Sequence, residues 1–147
     1  MGPFVAKVTV DVRADVKSVW KGLTDPALIK EYFFGTNVVS DWKKGSKIRF
    51  HGEWEGKAYE DKGTILESDP PRLMKYNYWS SMSGTADKPE NYAIVTYALR
   101  QKGDQTEVTV TQDEIATEEA RNDSEKNWKF ILESMGKLVE TKLVEAK

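Results

Sequence analysis

The sequence predicts an α+β protein: an antiparallel sheet of six to seven strands, two short helices after the first strand, and a long helix at the C-terminus. Three observations carry this. Apolar residues alternate with period two near the N-terminus, then twice at helical spacing around a proline. Short extended segments separated by turn residues follow. The last third returns to helical spacing, unbroken over about four turns.

Phe4, Ala6, Val8, Val10 and Val12 alternate with more polar residues between Val5 and Asp11, the mark of a half-buried first strand. Val16, Val19, Trp20 and Leu23 fall at i, i+3, i+4 and i+7, and Thr24-Asp25-Pro26 ends that helix. Asp25 can cap a second helix. Pro26 suits its first turn, where the missing N–H costs nothing, and Leu28, Ile29, Tyr32 and Phe33 give it an apolar side.

From Gly35 onward, Lys44-Gly45-Ser46 and Asp69-Pro70-Pro71 are the clearest breaks. Strands are expected near Thr36–Asp41, Lys47–Trp54, Tyr59–Ser68, Leu73–Trp79, Tyr92–Gln101 and Thr106–Asp113, with a hairpin turn at Gln101–Gln105. Connections this short make neighbours antiparallel, because a parallel crossover needs about a dozen residues or more. Ile115 to Arg121 reads as a charged connection, with Asn122 and Glu125 as a capping box. In the terminal helix Trp128, Ile131, Leu132, Met135, Leu138, Val139 and Leu143 form one face and Lys129, Glu133, Lys137 and Glu140 the other, so the helix must lie on the sheet.

With 147 residues, one domain with one core is expected. Twenty-two Lys and Arg stand against 24 Asp and Glu, a net charge of −2 with both signs mixed along the chain, which argues against a charge-driven nucleic-acid or membrane role. The chain has no cysteine and one histidine, so neither a disulfide framework nor a zinc or copper site is expected, and no cofactor is implied. MGPFVAKVTVDV lacks a basic stretch followed by an apolar run, which points to a cytoplasmic protein, expected to be a monomer. Asn122-Asp123-Ser124 matches a glycosylation acceptor, but carries no weight without a secretion signal.

The order of strand, broken helix pair, meander and long helix resembles the helix-grip fold of the SRPBCC superfamily, which includes START and Bet v 1-like proteins. Val19-Trp20, Leu23-Thr24-Asp25-Pro26 and Tyr32-Phe33 look like the opening of the domain related to the C-terminal part of the activator of heat-shock protein 90 ATPase. Asp41-Trp42 before Gly45, Gly63-Thr64-Ile65 leading through Glu67 to Asp69-Pro70-Pro71, and Leu73 follow the same family's middle; Trp128, Leu132, Met135 and Leu138 match its terminal helix. Asn127 departs from the glycine that commonly precedes that tryptophan. The resemblance spans about Ala6 to Leu143. It implies a curved sheet whose open face is closed by the long helix, whose end is closed by the two short helices set as a V, and between them a cavity.

Alternation then sends Phe50 and Trp54, Tyr76 and Tyr78, Val95, Tyr97 and Leu99, and Val108 and Val110 toward the terminal helix, where Trp128, Leu132 and Met135 meet them. Aromatic walls with a few hydroxyls suit a flat or lipid-like ligand, although the same rings would serve equally well as ordinary core. Gly136, at the edge of the helix's apolar face, suggests close approach to a strand or a ligand, or else a bland surface position. Ser80–Asn91 is longer than a hairpin needs, either a lid at the cavity mouth or an excursion without a role.

His51 shares strand parity with Arg49, Glu53 and Glu55 and is expected outside. No G-x-S-x-G turn, phosphate-cradling G-x-x-x-x-G-K-[ST] loop or G-x-G-x-x-G fingerprint exists. Glu67 or Asp113 could point inward beside a tyrosine, but no spacing singles them out. Three functions remain open: a protein holding a small hydrophobic or aromatic molecule, a cyclase- or hydrolase-type enzyme using the same cavity, and a chaperone-associated interaction domain. The last transfers least directly, because the family's eukaryotic member carries a further N-terminal domain and these residues are accounted for without one.

Overall fold

A computed structural model describes residues 2–81 and 84–145, with the side chains of Trp54 and of 143–145 excepted. The elements run β1 (Phe4–Val12), α1 (Val16–Thr24), α2 (Pro26–Tyr32), β2 (Asn37–Ser40), β3 (Lys47–Trp54), β4 (Lys57–Asp69), β5 (Leu73–Ser80), β6 (Ala93–Lys102), β7 (Gln105–Ile115) and α3 (Glu118–Glu145). The seven strands form one sheet in the order β1-β7-β6-β5-β4-β3-β2. Every neighbouring pair is antiparallel. This is the helix-grip architecture expected from the element order.

β1 and β2 are consecutive strands at opposite edges of the sheet, and the two short helices carry the chain between them. Their break is built as the sequence implied: Asp25 accepts the Ala27 N–H at 2.9 Å and Pro26 takes the first helical position. The buried Tyr32 hydroxyl donates to the Gly22 carbonyl at 2.9 Å, tying the end of α2 to the end of α1.

The start of α3 departs from expectation. The helix begins at Glu118, inside the stretch read as a connection, because the Thr117 hydroxyl accepts the Ala120 N–H at 3.1 Å and acts as the cap, with Glu118 and Glu119 favourably placed in the first turn. Asn122 and Glu125 therefore lie within the helix. Glu125 accepts the Lys7 N–H on β1 at 3.0 Å instead, and Glu140 accepts the Arg13 N–H at 2.8 Å. α3 is thus hydrogen-bonded along β1 as well as packed on it.

Ile131, Leu132, Met135 and Val139 on α3 are buried against Val12 and Val108 of the strands and Val19 and Leu23 of α1. Leu143 falls outside the described side chains. Gly136 faces β1, where an added Cβ would stand 3.2 Å from Val12 Cγ2, so the glycine answers close approach to a strand. Gly63 marks a closer contact: a Cβ there would lie 1.7 Å from the Asn77 carbonyl oxygen. Asn77 uses its side chain to accept the Thr64 N–H at 2.7 Å at this crossing of β4 and β5.

Candidate functional site

Between the middle of the sheet, the N-terminal half of α3 and the turn after α2 lies a cavity of about 570 Å³. Its floor is aromatic. Phe33, Phe50, Tyr76, Tyr97 and Trp128 form a closed circuit in which successive ring centroids are 5.9–6.4 Å apart. Offset and edge-on pairs of this kind contribute about 0.5–1.5 kcal/mol each beyond their area. Beneath the circuit a recess of only about 10 Å³ remains among Leu23, Ile29, Tyr32, Trp42, Ile48 and four of those rings, Trp128 excepted. The interior is therefore filled at its inner end and open at its outer one.

The wall carries polar groups in pairs. Thr36 and Tyr59 hydroxyls are 2.5 Å apart, and the Tyr78 hydroxyl donates to Asp61 Oδ2 at 2.5 Å. Trp128 Nε1 donates to Gln112 Oε1 at 2.8 Å, which holds the indole edge-on to Tyr97. Val95, Ser124 and Ile131 line it too, and the exposed Phe34, Asp123 and Asn127 form a rim open to solvent. Phe34 stacks on Phe130 of α3 with centroids 6.1 Å apart and planes 8° from parallel.

Burial governs the ionisation of the tyrosines. Desolvation pushes Tyr76 well above its usual value, with Tyr97 adding to it. Tyr97 is pushed up to about 12 by burial, opposed by its hydrogen bond to Tyr76. Burial, then the neighbouring Asp61, raises Tyr78 further. All three are neutral phenols near pH 7. The Tyr76 and Tyr97 hydroxyls are 3.3 Å apart and share one hydrogen bond.

Of the positions expected at the cavity, Phe50, Tyr76, Tyr78, Val95 and Trp128 line it, and Tyr97 lines the recess below. Val110, Leu132 and Met135 are placed elsewhere: they are buried core and do not touch the cavity, because α3 lies tight on β1 and β7 at this level. Leu99 and Val108 are core as well. The Trp54 side chain lies outside the described residues. His51 is exposed, as its parity implied.

Asp61, Tyr59, Gln112 and Phe33 were not read from the sequence as cavity residues, although the signal existed. Asp61 and Tyr59 are in phase with the buried Ile65 on β4, and Gln112 is in phase with Val108 and Val110 on β7. Of the acids that were singled out, Glu67 is exposed because a register shift between Ile65 and Glu67 reverses the phase, and Asp113 accepts the Ile94 N–H at 2.6 Å. The Ser80–Asn91 loop includes Met82 and Ser83, outside the described residues, and none of its described residues lines the cavity. Part of the loop folds against the opposite side of the sheet, where Lys62 pairs with Asp87 at 2.5 Å and Trp79 Nε1 donates to Thr85 at 3.2 Å.

No group of three or more metal-binding side chains exists among the described residues, and none of their helices is long and apolar enough to cross a membrane.

A family model described as Activator of Hsp90 ATPase homolog 1-like protein matches residues 13–140. No curated protein matches the chain. The solution structure of ChR145 from Cytophaga hutchinsonii is 45% identical, with 98% of this chain and 99% of that one covered and a TM-score of 0.84. CalU16 from Micromonospora echinospora is 19% identical over 97% of this chain and 88% of that one, with a TM-score of 0.67. DynU16, a protein in the dynemicin biosynthetic locus, is 17% identical over 94% of this chain and 48% of that one, with a TM-score of 0.77. At these identities the last two are alike in fold.

Proposed function

The chain belongs to the Activator of Hsp90 ATPase homolog 1-like family, and from that premise we propose that it is a ligand-binding protein, holding a flat hydrophobic or aromatic molecule of lipid, polyketide or flavonoid class. One observation carries the reading: a cavity of about 570 Å³, open at a rim and backed by a circuit of five aromatic rings, four of which line it. That volume and lining lie within the range of small-molecule sites, roughly 300–1,000 Å³ with apolar walls and a few placed polar groups. The fold is shared with a protein of the dynemicin biosynthetic locus. The protein acts in this reading as a cytoplasmic monomer.

A second reading, a cyclase- or hydrolase-type enzyme, is favoured by the Asp61–Tyr78 pair, a carboxylate and a phenol in hydrogen-bond contact at the wall. Turnover of a bound compound would distinguish it from simple holding.

The first experiment is thermal unfolding against flavonoid-like aromatics, sterols, fatty acids and nucleotides. A ligand at about 100 times its dissociation constant stabilises by roughly 2.7 kcal/mol, which at about 2–4 °C per kcal/mol raises the midpoint by some 5–10 °C. A rise of that size for an apolar class is expected. No rise with any compound overturns the reading and turns the search to protein partners, a chaperone among them.

A further inference from the structure

We propose that the molecule this cavity holds is a cation: an aromatic or otherwise hydrophobic body bearing a protonated amine that seats its N–H groups on Asp61. The inference rests on the ligand-binding reading above and narrows its ligand.

The unanswered oxygen of Asp61 is the first observation. Asp61 is 8% exposed and belongs to the cavity wall. Its Oδ2 is answered by the Tyr78 hydroxyl, whereas Oδ1 is buried with no hydrogen-bond partner. Buried carboxylate oxygens are ordinarily paired, since an unanswered one keeps its full desolvation cost. Oδ1 is covered in this structure, yet Asp61 lines the cavity, so a partner standing in that space meets Oδ1 once the carboxylate turns toward it.

The second observation is the charge of the wall. Asp61 and Asp123 contribute acids, and no lysine, arginine or histidine lines the cavity among the described residues. The nearby Lys62 is paired with Asp87 on the opposite side of the sheet. The site therefore lacks a positive charge, not merely a donor. A neutral hydroxyl would answer Oδ1 once but leave the carboxylate's charge uncompensated, and an anion would meet two carboxylates.

The aromatic walls favour the same sign. Phe50 is the register partner of Asp61 across β3 and β4, and its ring lies edge-on to Tyr78 with centroids 5.7 Å apart. Aromatic faces attract cations, more strongly where water is excluded. A carboxylate set among such rings is a receptor for an ammonium group with an apolar body.

The test is calorimetric titration at neutral pH with 2-naphthylmethylamine, 2-naphthylmethanol and 2-naphthoate, which share one ring system and differ in charge. The amine is expected to bind about tenfold or more tighter than the alcohol, a difference suited to a charge-assisted hydrogen bond in a dry wall, with the carboxylate weakest. In Asp61→Asn, whose amide oxygen can still accept from Tyr78, the ratio of amine to alcohol affinity should fall to about one. In Asp123→Asn the ratio should change by no more than about threefold, because that group is exposed and screened. Equal binding of amine and alcohol to the unaltered protein, or an amine preference that survives Asp61→Asn, overturns the inference while leaving the cavity reading intact. If none of the three binds, the inference falls, and the thermal-unfolding panel decides the cavity reading separately. Should Asp61→Asn not fold, the order of affinities in the unaltered protein decides.

Discussion

Tyr78 and Asp61 stand on adjacent strands with the phenol hydroxyl 2.5 Å from Oδ2, so the acid at the cavity wall is held by a neutral donor and not by a cation. Removing that donor leaves both carboxylate oxygens unanswered. Tyr78→Phe should therefore cost about 1–3 kcal/mol in chemical denaturation, the usual penalty for an orphaned buried polar group. Asp61→Asn, which keeps an acceptor, should cost less than about 1 kcal/mol. If Tyr78→Phe proves neutral, the hydrogen bond has no energetic role and Asp61 is better solvated than its burial implies.

Four tyrosines make stability fall on the alkaline side. Burial raises Tyr32, Tyr76, Tyr78 and Tyr97 above the ordinary 10.0. A raised folded value means that the folded state holds the proton more tightly. The stabilisation is complete below pH 10 and is lost as pH rises above it, because the unfolded chain ionises first. Each such group contributes a slope of about 1.4 kcal/mol per pH unit, so near pH 11 the four together should have removed about 5 kcal/mol. Melting temperature against pH, followed with phenolate absorbance, checks this: the phenolate signal of these four should appear with unfolding. Their titration near pH 10 in an intact fold would mean that the interior admits water freely.

The sheet and the helix breaks were legible because they depend on local signals: alternation for β1, Pro26 after Asp25 for the helix pair, and the spacing from Trp128 to Val139 for α3. The start of α3 was missed because Thr117 competes with Asn122 as a cap, and which one wins depends on where the helix meets β1 through Glu125 and Lys7. The cavity was legible in part. Parity separates inward from outward residues, but it does not tell a ring facing space from one facing another ring; Met135 and Leu132 share the inward face with Trp128 and are simply packed. Asp61 was obscured by its charge, which suggests solvent, although Ile65 four residues on fixes its phase.

Gly63 sits where β4 lies close against β5, and an alanine Cβ would stand 1.7 Å from a backbone oxygen of Asn77. Backbone cannot yield as a flexible side chain can. Gly63→Ala should cost at least about 3 kcal/mol, at or above the upper end for overpacking, or fail to fold. Denaturant unfolding measures it, and a loss under about 1 kcal/mol would mean that β4 and β5 can separate without cost.

Trp128 and Phe130 are two residues apart on α3 and test opposite faces of it. Trp128 is 7% exposed, edge-on to Phe33 and Tyr97 and hydrogen-bonded to Gln112, whereas Phe130 is 56% exposed and touches Phe34 at the rim. Trp128→Ala should cost about 3–5 kcal/mol, because it empties a buried aromatic site in the cavity floor. Phe130→Ala should stay within about 0.5 kcal/mol, as surface substitutions usually do. Urea denaturation of both variants gives the comparison. A Trp128→Ala loss below about 1 kcal/mol would mean that α3 does not pack across the sheet as described. A Phe130→Ala loss as large as that of Trp128→Ala would make the Phe34–Phe130 stack part of the core rather than of the rim.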